Sequence, residues 1–183
     1  MNNPPTPVIF IGGVHGVGKT TFSKSLSDTL KIPSFTAGDL IRAHRARPVT
    51  RDKRVGDISS NQDALVEAIR RLGISTPILL DGHYCLLDAN AAVSEVPIRT
   101  FQQLTLCVSL VIRDDPALIR ERLQQRDSKD YDLDLIAAFQ DAEIAWSQKV
   151  AAILKIPIAL FNCSESDHAA SWVADNLPLE DRG

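Results

Sequence analysis

The stretch IFIGGVHGVGKTTFSKSL, residues 9–26, constrains the fold more than any other. It begins apolar and β-branched, drops into glycines, and resumes with a helical pattern. Gly13, Gly18, Lys19 and Thr20 fill every fixed position of G-x-x-x-x-G-K-[ST], with a strand pattern before and a helix pattern after. The physical logic is local. Glycines let the backbone curl so that its N–H groups point inward. The following helix N-terminus adds partial positive charge. Gly13, His15, Gly16, Val17, Gly18, Lys19, Thr20 and Thr21 are therefore expected around the phosphates of a nucleoside triphosphate, ATP first. Lys19 would reach the β- and γ-phosphates and Thr20 would offer its hydroxyl to Mg²⁺.

Around this loop, short apolar runs alternate with helical patterns. Strands are expected over residues 8–11, 32–37, 77–82, 106–112 and 156–161. Helices are expected over 19–30, 39–45, 59–72, 116–125, 133–154 and 167–176, with Asp39 as an N-cap. Continuous apolar strands separated by helices mean a parallel sheet covered on both faces. The expectation is an α/β, three-layer doubly wound domain of about five strands. Residues 84–99, YCLLDANAAVSEVPIR, break the alternation and read as an inserted hairpin. The whole chain, 1–183, reads as one domain with an acceptor-binding region over about 38–72 and a short lid over about 122–132.

Composition narrows the partners. A net charge of -3 argues against a general nucleic-acid or membrane-surface binder. Three cysteines, Cys85, Cys107 and Cys163, show no C-x-x-C spacing, which suits reduced thiols better than a disulfide framework or a zinc site. The first residues, MNNPPTP, have no basic region and no long apolar run, so the chain reads as cytoplasmic.

Three further groups suggest chemistry. Asp81 ends the apolar run ILLD, where a carboxylate beside the phosphate loop suits a share in holding Mg²⁺ with Thr20. His83, two residues on, either orients a water or phosphate or caps the hairpin. Asp39 and Arg42 lie i, i+3 on one helical face, and an arginine there can grip a phosphate with two prongs. Cations His44, Arg45, Arg47, Arg51, Lys53 and Arg54 follow, readable equally as a solvated loop. Arg122 and Arg126 lie i, i+4 near a loop, DSKDYD, that could close over the phosphates and exclude water. In the long helix, Phe139, Ala142, Trp146, Val150 and Ile153 form a core stripe, with Glu143 beside it as a candidate brace for those arginines. Asn162 to Ser164 follow the last strand, where a loop meets a nucleotide base in doubly wound sheets.

GGVHGVGKTT, AGDLIR, ILLDGHY and RDDPALIRERLQQRD occur in the order of the nucleoside-monophosphate kinase group. From residue 8 to about 172 the chain resembles the P-loop kinases of that group, nearest to the short-lid archaeal-type and nuclear-type adenylate kinases and to small bacterial AAA-family ATP-binding proteins. The resemblance implies that residues 13–20 bind ATP phosphates and that Arg42 holds an acceptor phosphate. It implies that Arg122 and Arg126 act at the transferred group and near the base, with Asn162 and Ser164 near adenine. One departure stands out. Adenylate kinases continue Asp-Gly-Phe-Pro-Arg after the third strand, and here the residues are Asp81-Gly82-His83-Tyr84-Cys85, without that arginine.

Three functions remain open to the sequence. One is a P-loop NTPase acting as a kinase that moves a phosphoryl group from ATP to a small, nucleotide-like acceptor, with Lys19, Arg122, Arg126 and Asp81 at the chemistry. Another is an ATPase or nucleotide-dependent switch working with a protein partner. The third is a nucleic-acid end kinase, disfavoured by the acidic net charge and by cations without interleaved aromatics.

Overall fold

The structure is a computed structural model, described over residues 5–46, 58–87 and 92–178, with side chains from residue 61 in the second of these segments. Five parallel strands form the central sheet: β1 (Val8–Gly12), β2 (Ser34–Thr36), β3 (Ile78–Asp81), β6 (Leu106–Arg113) and β7 (Ile158–Asn162). Their spatial order is β2-β3-β1-β6-β7. The sequence-based α/β expectation therefore holds, including the number of strands. β1 and β3 are buried along their whole length, as continuous apolar strands in the middle of a covered sheet must be. Helices α1 (Lys19–Leu30), α2 (Ala37–Arg45), α3 (Ile58–Leu72), α5 (Pro116–Asp127), α6 (Leu133–Leu154) and α7 (Ser166–Asn176) make the outer layers. The core divides into two apolar clusters, one built on Ile9, Ile11, Phe22 and Leu110, the other on Phe10, Leu80, Tyr84 and Phe101.

The inserted hairpin is present and shorter than expected. β4 (Cys85–Leu87) pairs antiparallel with β5 (Val93–Glu95) as a separate sheet, and α4 (Ile98–Gln103) takes up the last two residues of the stretch expected as hairpin. Pro97 pre-sets the entry to that helix. The N-cap of α2 is Thr36, not Asp39. The Thr36 hydroxyl accepts the Asp39 N–H at 3.1 Å and donates to the Asp39 carboxylate at 2.7 Å, a reciprocal cap with Asp39 three residues inside. Ile153, expected in the core stripe, is exposed near the end of α6. The cations Arg47, Arg51, Lys53 and Arg54, and the turn of the hairpin, lie outside the described residues.

Candidate functional site

The carboxyl ends of β1 and β3 lie side by side, with Ile11 opposite Asp81 in register. The glycine loop leaves β1 there and turns into α1 through Gly18, whose φ of 102° few side chains tolerate. Lys19 curls back over the loop and is almost fully buried. Its ammonium donates to the Gly13 carbonyl at 2.7 Å and the Val14 carbonyl at 3.0 Å. Burial lowers its pKa, against the pull of Asp81 and Glu143. Thr20, one residue on, donates its hydroxyl to Asp81 Oδ2 at 3.2 Å. Burial raises the Asp81 carboxyl, with Lys19 and Thr20 opposing. A hydroxyl and a carboxylate this close, both hard oxygen donors, fit Mg²⁺. Thr21 is exposed on the first turn of α1.

His15 and His83 meet over this junction, ring centroids 4.3 Å apart. Both have lowered pKa values, through burial first and Lys19 second. The buried Nδ1 of His83 has no hydrogen-bond partner among the described residues. Among the described residues no hydrogen bond joins the His83 ring to the hairpin. With His15, His83 lines a cavity of about 300 Å³ whose wall is mostly apolar, with Phe10, Ile41, Leu65, Leu86, Val96 and Phe101. Thr36, Asn61, Gln62, Asp81 and Thr100 are polar points beside the two histidines, and the Thr100 hydroxyl, 2% exposed, has no partner among the described residues. A second cleft of about 390 Å³, lined by Ser23, Lys24, Ser27 and Ser34, shares Thr36 and Asp81 with the first.

The arginines occupy the other side. Gly16 packs on α5 so tightly that a Cβ would stand 2.7 Å from Leu123. That contact carries Arg122 and Arg126 beside the loop. Arg122 donates to Asp114 at 2.6 Å, and Gln140 of α6 holds the Asp114 backbone from both sides at 3.1 and 2.9 Å. Arg126 forms a fork onto Asp127, both bonds 2.7 Å, and lies near enough to His15 to lower its pKa. Arg126, with Tyr131 next, holds the Asp127 carboxyl well below the usual range. Of the stretch expected as a lid, about 122–132, residues up to Asp127 belong to α5, and only 128–132 connect it to α6. The Asn162–Ser164 turn reaches the loop from above, since a Cβ on Gly18 would lie 3.1 Å from Cys163. Asn162 and Ser164 are exposed, and Glu165 accepts the Asn162 N–H at 2.7 Å. Arg42 stays at the rim, exposed, paired with Asp39 and lining neither cavity.

Glu143 does not brace the arginines. It is fully buried beneath the glycine loop. One carboxylate oxygen accepts the Gly13 N–H at 2.9 Å and the Tyr84 N–H at 2.8 Å, and the other accepts Cys85 N–H at 2.7 Å. Burial pushes its pKa up while the three N–H donors act against that. The signal was present in the sequence: Gln140, Glu143 and Ser147 share the buried stripe of α6 with Phe139 and Val150. A carboxylate on such a stripe needs donors.

A parallel sheet with a phosphate-type loop at its centre and a Thr–Asp pair beside it defines an α/β P-loop NTPase fold of the kinase-like kind. The AAA domain family matches residues 12–140, and the chain belongs to that family. No curated protein matches it. Among solved structures, a gluconokinase from Sinorhizobium meliloti 1021 is similar at 14% identity and a TM-score of 0.52, over 96% of this chain and 97% of that one. An uncharacterized protein from Eubacterium ventriosum ATCC 27560 is similar at 12% identity and a TM-score of 0.50, over 93% and 97%. At such identities the likeness is one of fold. Among the described residues no helix is long and apolar enough to cross a membrane, and Cys85, Cys107 and Cys163 are all unpaired.

Proposed function

We propose that the chain is an ATP-dependent phosphotransferase acting on a small acceptor. The observation that carries this is Asp81, which accepts the Thr20 hydroxyl beside the loop and also lines the 300 Å³ cavity. A site for hydrolysis alone would not need a shaped apolar chamber on the far side of the phosphates. In this reading the loop 13–20 holds ATP, and Thr20 and Asp81 hold Mg²⁺, which neutralises charge on the phosphates. Lys19, Arg122 and Arg126 surround the transferred group, and 128–132 close over it. Asn162 and Ser164 face the base.

The acceptor in this reading is nucleotide-like in size and shape. A flat, ring-sized body would lie among Phe10, Leu86 and Phe101, with Asn61 and Gln62 reading a hydrogen-bonding edge. His83 and Asp81 would face its reacting end, and Arg42 with Asp39 would meet a phosphate at the rim. The gluconokinase likeness supports small-molecule transfer in general, while the apolar lining favours a less polar acceptor than a sugar acid.

The test is incubation with Mg²⁺ and γ-labelled ATP against nucleoside monophosphates, nucleosides, sugar acids, coenzyme precursors and a 5′-hydroxyl oligonucleotide, with Lys19→Ala as control. Label on one small acceptor, absent in the control, is expected. Label only as free phosphate would overturn the proposal in favour of an ATPase switch. Label on the oligonucleotide alone would make it an end kinase.

A further inference from the structure

Helix α6 holds the hairpin at both ends. Glu143 accepts the N–H groups of Tyr84 and Cys85 where the chain enters it. Trp146, three residues along the same face, donates its indole N–H to the Val96 carbonyl at 2.9 Å where the chain leaves. Val96 N–H closes the base onto the Tyr84 carbonyl at 2.9 Å. The same Glu143 oxygen that takes Tyr84 N–H also takes Gly13 N–H, and the Gly13 carbonyl takes Lys19. A second contact runs in parallel: the Tyr84 ring lies so close to Gly12 that a Cβ there would stand 2.5 Å from it. The hairpin in turn supplies Leu86 to the wall of the 300 Å³ cavity, with Val96 beside its base.

We propose that Glu143 is a positioning residue that couples the phosphate loop to the hairpin wall of the cavity, so that occupancy of either site orders the other. This rests on the reading that loop 13–20 binds ATP. The physical reason is that one rigid carboxylate serves three backbone donors from two segments. Any ligand that fixes the Gly13 peptide also fixes the oxygen on which the Tyr84 N–H depends. A buried carboxylate cannot release one donor to water, so the segments move together or not at all.

The experiment is hydrogen exchange on the full chain, with and without Mg·ATP, alongside calorimetric ATP binding. In the unaltered protein, ATP is expected to slow exchange in 12–18 and also in 84–87 and 93–96. Protection of 12–18 without any change in the hairpin would overturn the coupling while leaving ATP binding intact. Absence of ATP binding would instead defeat the function proposed above. The coupling is then read without ligand, from Glu143→Gln, where both segments should exchange faster together, and faster exchange in one alone would overturn it. Glu143→Gln keeps the size but sets an amide NH₂ against a backbone donor. With ATP, it is expected to weaken binding about tenfold, the effect of one lost charged hydrogen bond, and to abolish hairpin protection. Trp146→Phe, which keeps an aromatic ring of smaller size and removes the N–H that reaches Val96, serves if Glu143→Gln does not fold. It should speed exchange at 93–96 and leave ATP-dependent protection at 84–87 in place, and loss of that protection would place the coupling at the wrong end of the hairpin.

Discussion

The glycine-loop side and the rim at the start of α2 are built in opposite ways. Around the loop, Lys19 bonds two carbonyls, Glu143 accepts three N–H groups, and Gln140 fixes Asp114, which fixes Arg122. At the rim, Asp39 and Arg42 are both exposed and hold each other, with Thr36 as the Asp39 carboxyl's other partner. Hydrogen bonds from the Thr36 hydroxyl and from Arg42 hold the Asp39 carboxyl below the usual range. The glycine loop is thus held by buried bonds to Lys19 and Glu143, whereas the rim is set by surface groups that water can replace. Substitutions on the two sides should differ in kind as well as in size.

The largest effect should come from Lys19→Ala. It removes the one buried cation at the loop, and phosphoryl transfer from labelled ATP should fall by about 10²–10³-fold, the scale of losing one preorganised charge stabiliser. Its folding, followed by thermal melting, should change far less. A retained rate would mean that the loop is not where the transferred group sits.

Two glycines sharpen the contrast further. At Gly12 a methyl group would meet the buried Tyr84 ring, which is fixed by Phe10, Phe101 and a 2.6 Å hydrogen bond to Ser109. Gly12→Ala should cost about 1–3 kcal/mol in denaturant unfolding, as overpacking does. At Gly38 the nearest atom is the far end of the exposed Arg42 side chain, 3.3 Å away, and the residue is helical. Gly38→Ala should therefore be neutral or stabilising by up to about 1 kcal/mol, through helix propensity. Equal losses at both positions would remove the distinction between a packed and an open side.

The sequence made one side far more legible than the other, for the same reason. Gly13 to Thr20 are contiguous, so the loop, its strand and its helix could be read together, and Asp81 followed from its place at the end of a buried strand. Glu143 lies 130 residues from Gly13. Its role depends on which way α6 turns, and spacing showed only that it adjoined the core stripe. The contact between His15 and His83 joins two loops that only the β1–β3 pairing brings together. Thr36 was hidden because Asp39, an equally good capping residue, stood nearby. Helix α4 has only six residues, too few to show a helical period.

A smaller effect concerns pH. His83 has its pKa held well below the ordinary imidazole value of 6.5, by burial and then by Lys19 and His15. His15 is shifted the same way. Below 6.5 the unfolded chain takes up protons that the folded chain refuses, so stability should fall as pH drops from that value toward the folded pKa. The raised carboxyls of Asp81 and Glu143 act in the opposite sense, since the folded chain keeps their protons to higher pH than the unfolded one. His83→Asn should flatten the loss just below pH 6.5, measured as unfolding midpoint against pH. An unchanged slope would assign the acid sensitivity to other groups.

The smallest effect on the protein, and the one that most directly probes the rim, should come from Arg42→Ala. Its partner is exposed and its guanidinium lies in water, so the unfolding midpoint should not move measurably. ATP affinity should also stay constant, because Arg42 bonds Asp39 and lines neither cavity. If the acceptor carries a phosphate, KM for it should rise while kcat holds, the signature of an interaction made equally in ground and transition states. If the acceptor carries none, neither constant should move, and the rim charge would be a surface pair capping α2. A fall in kcat at constant KM would instead mean that Arg42 swings inward to the transferred group, and that the exposed pairing with Asp39 is a resting position.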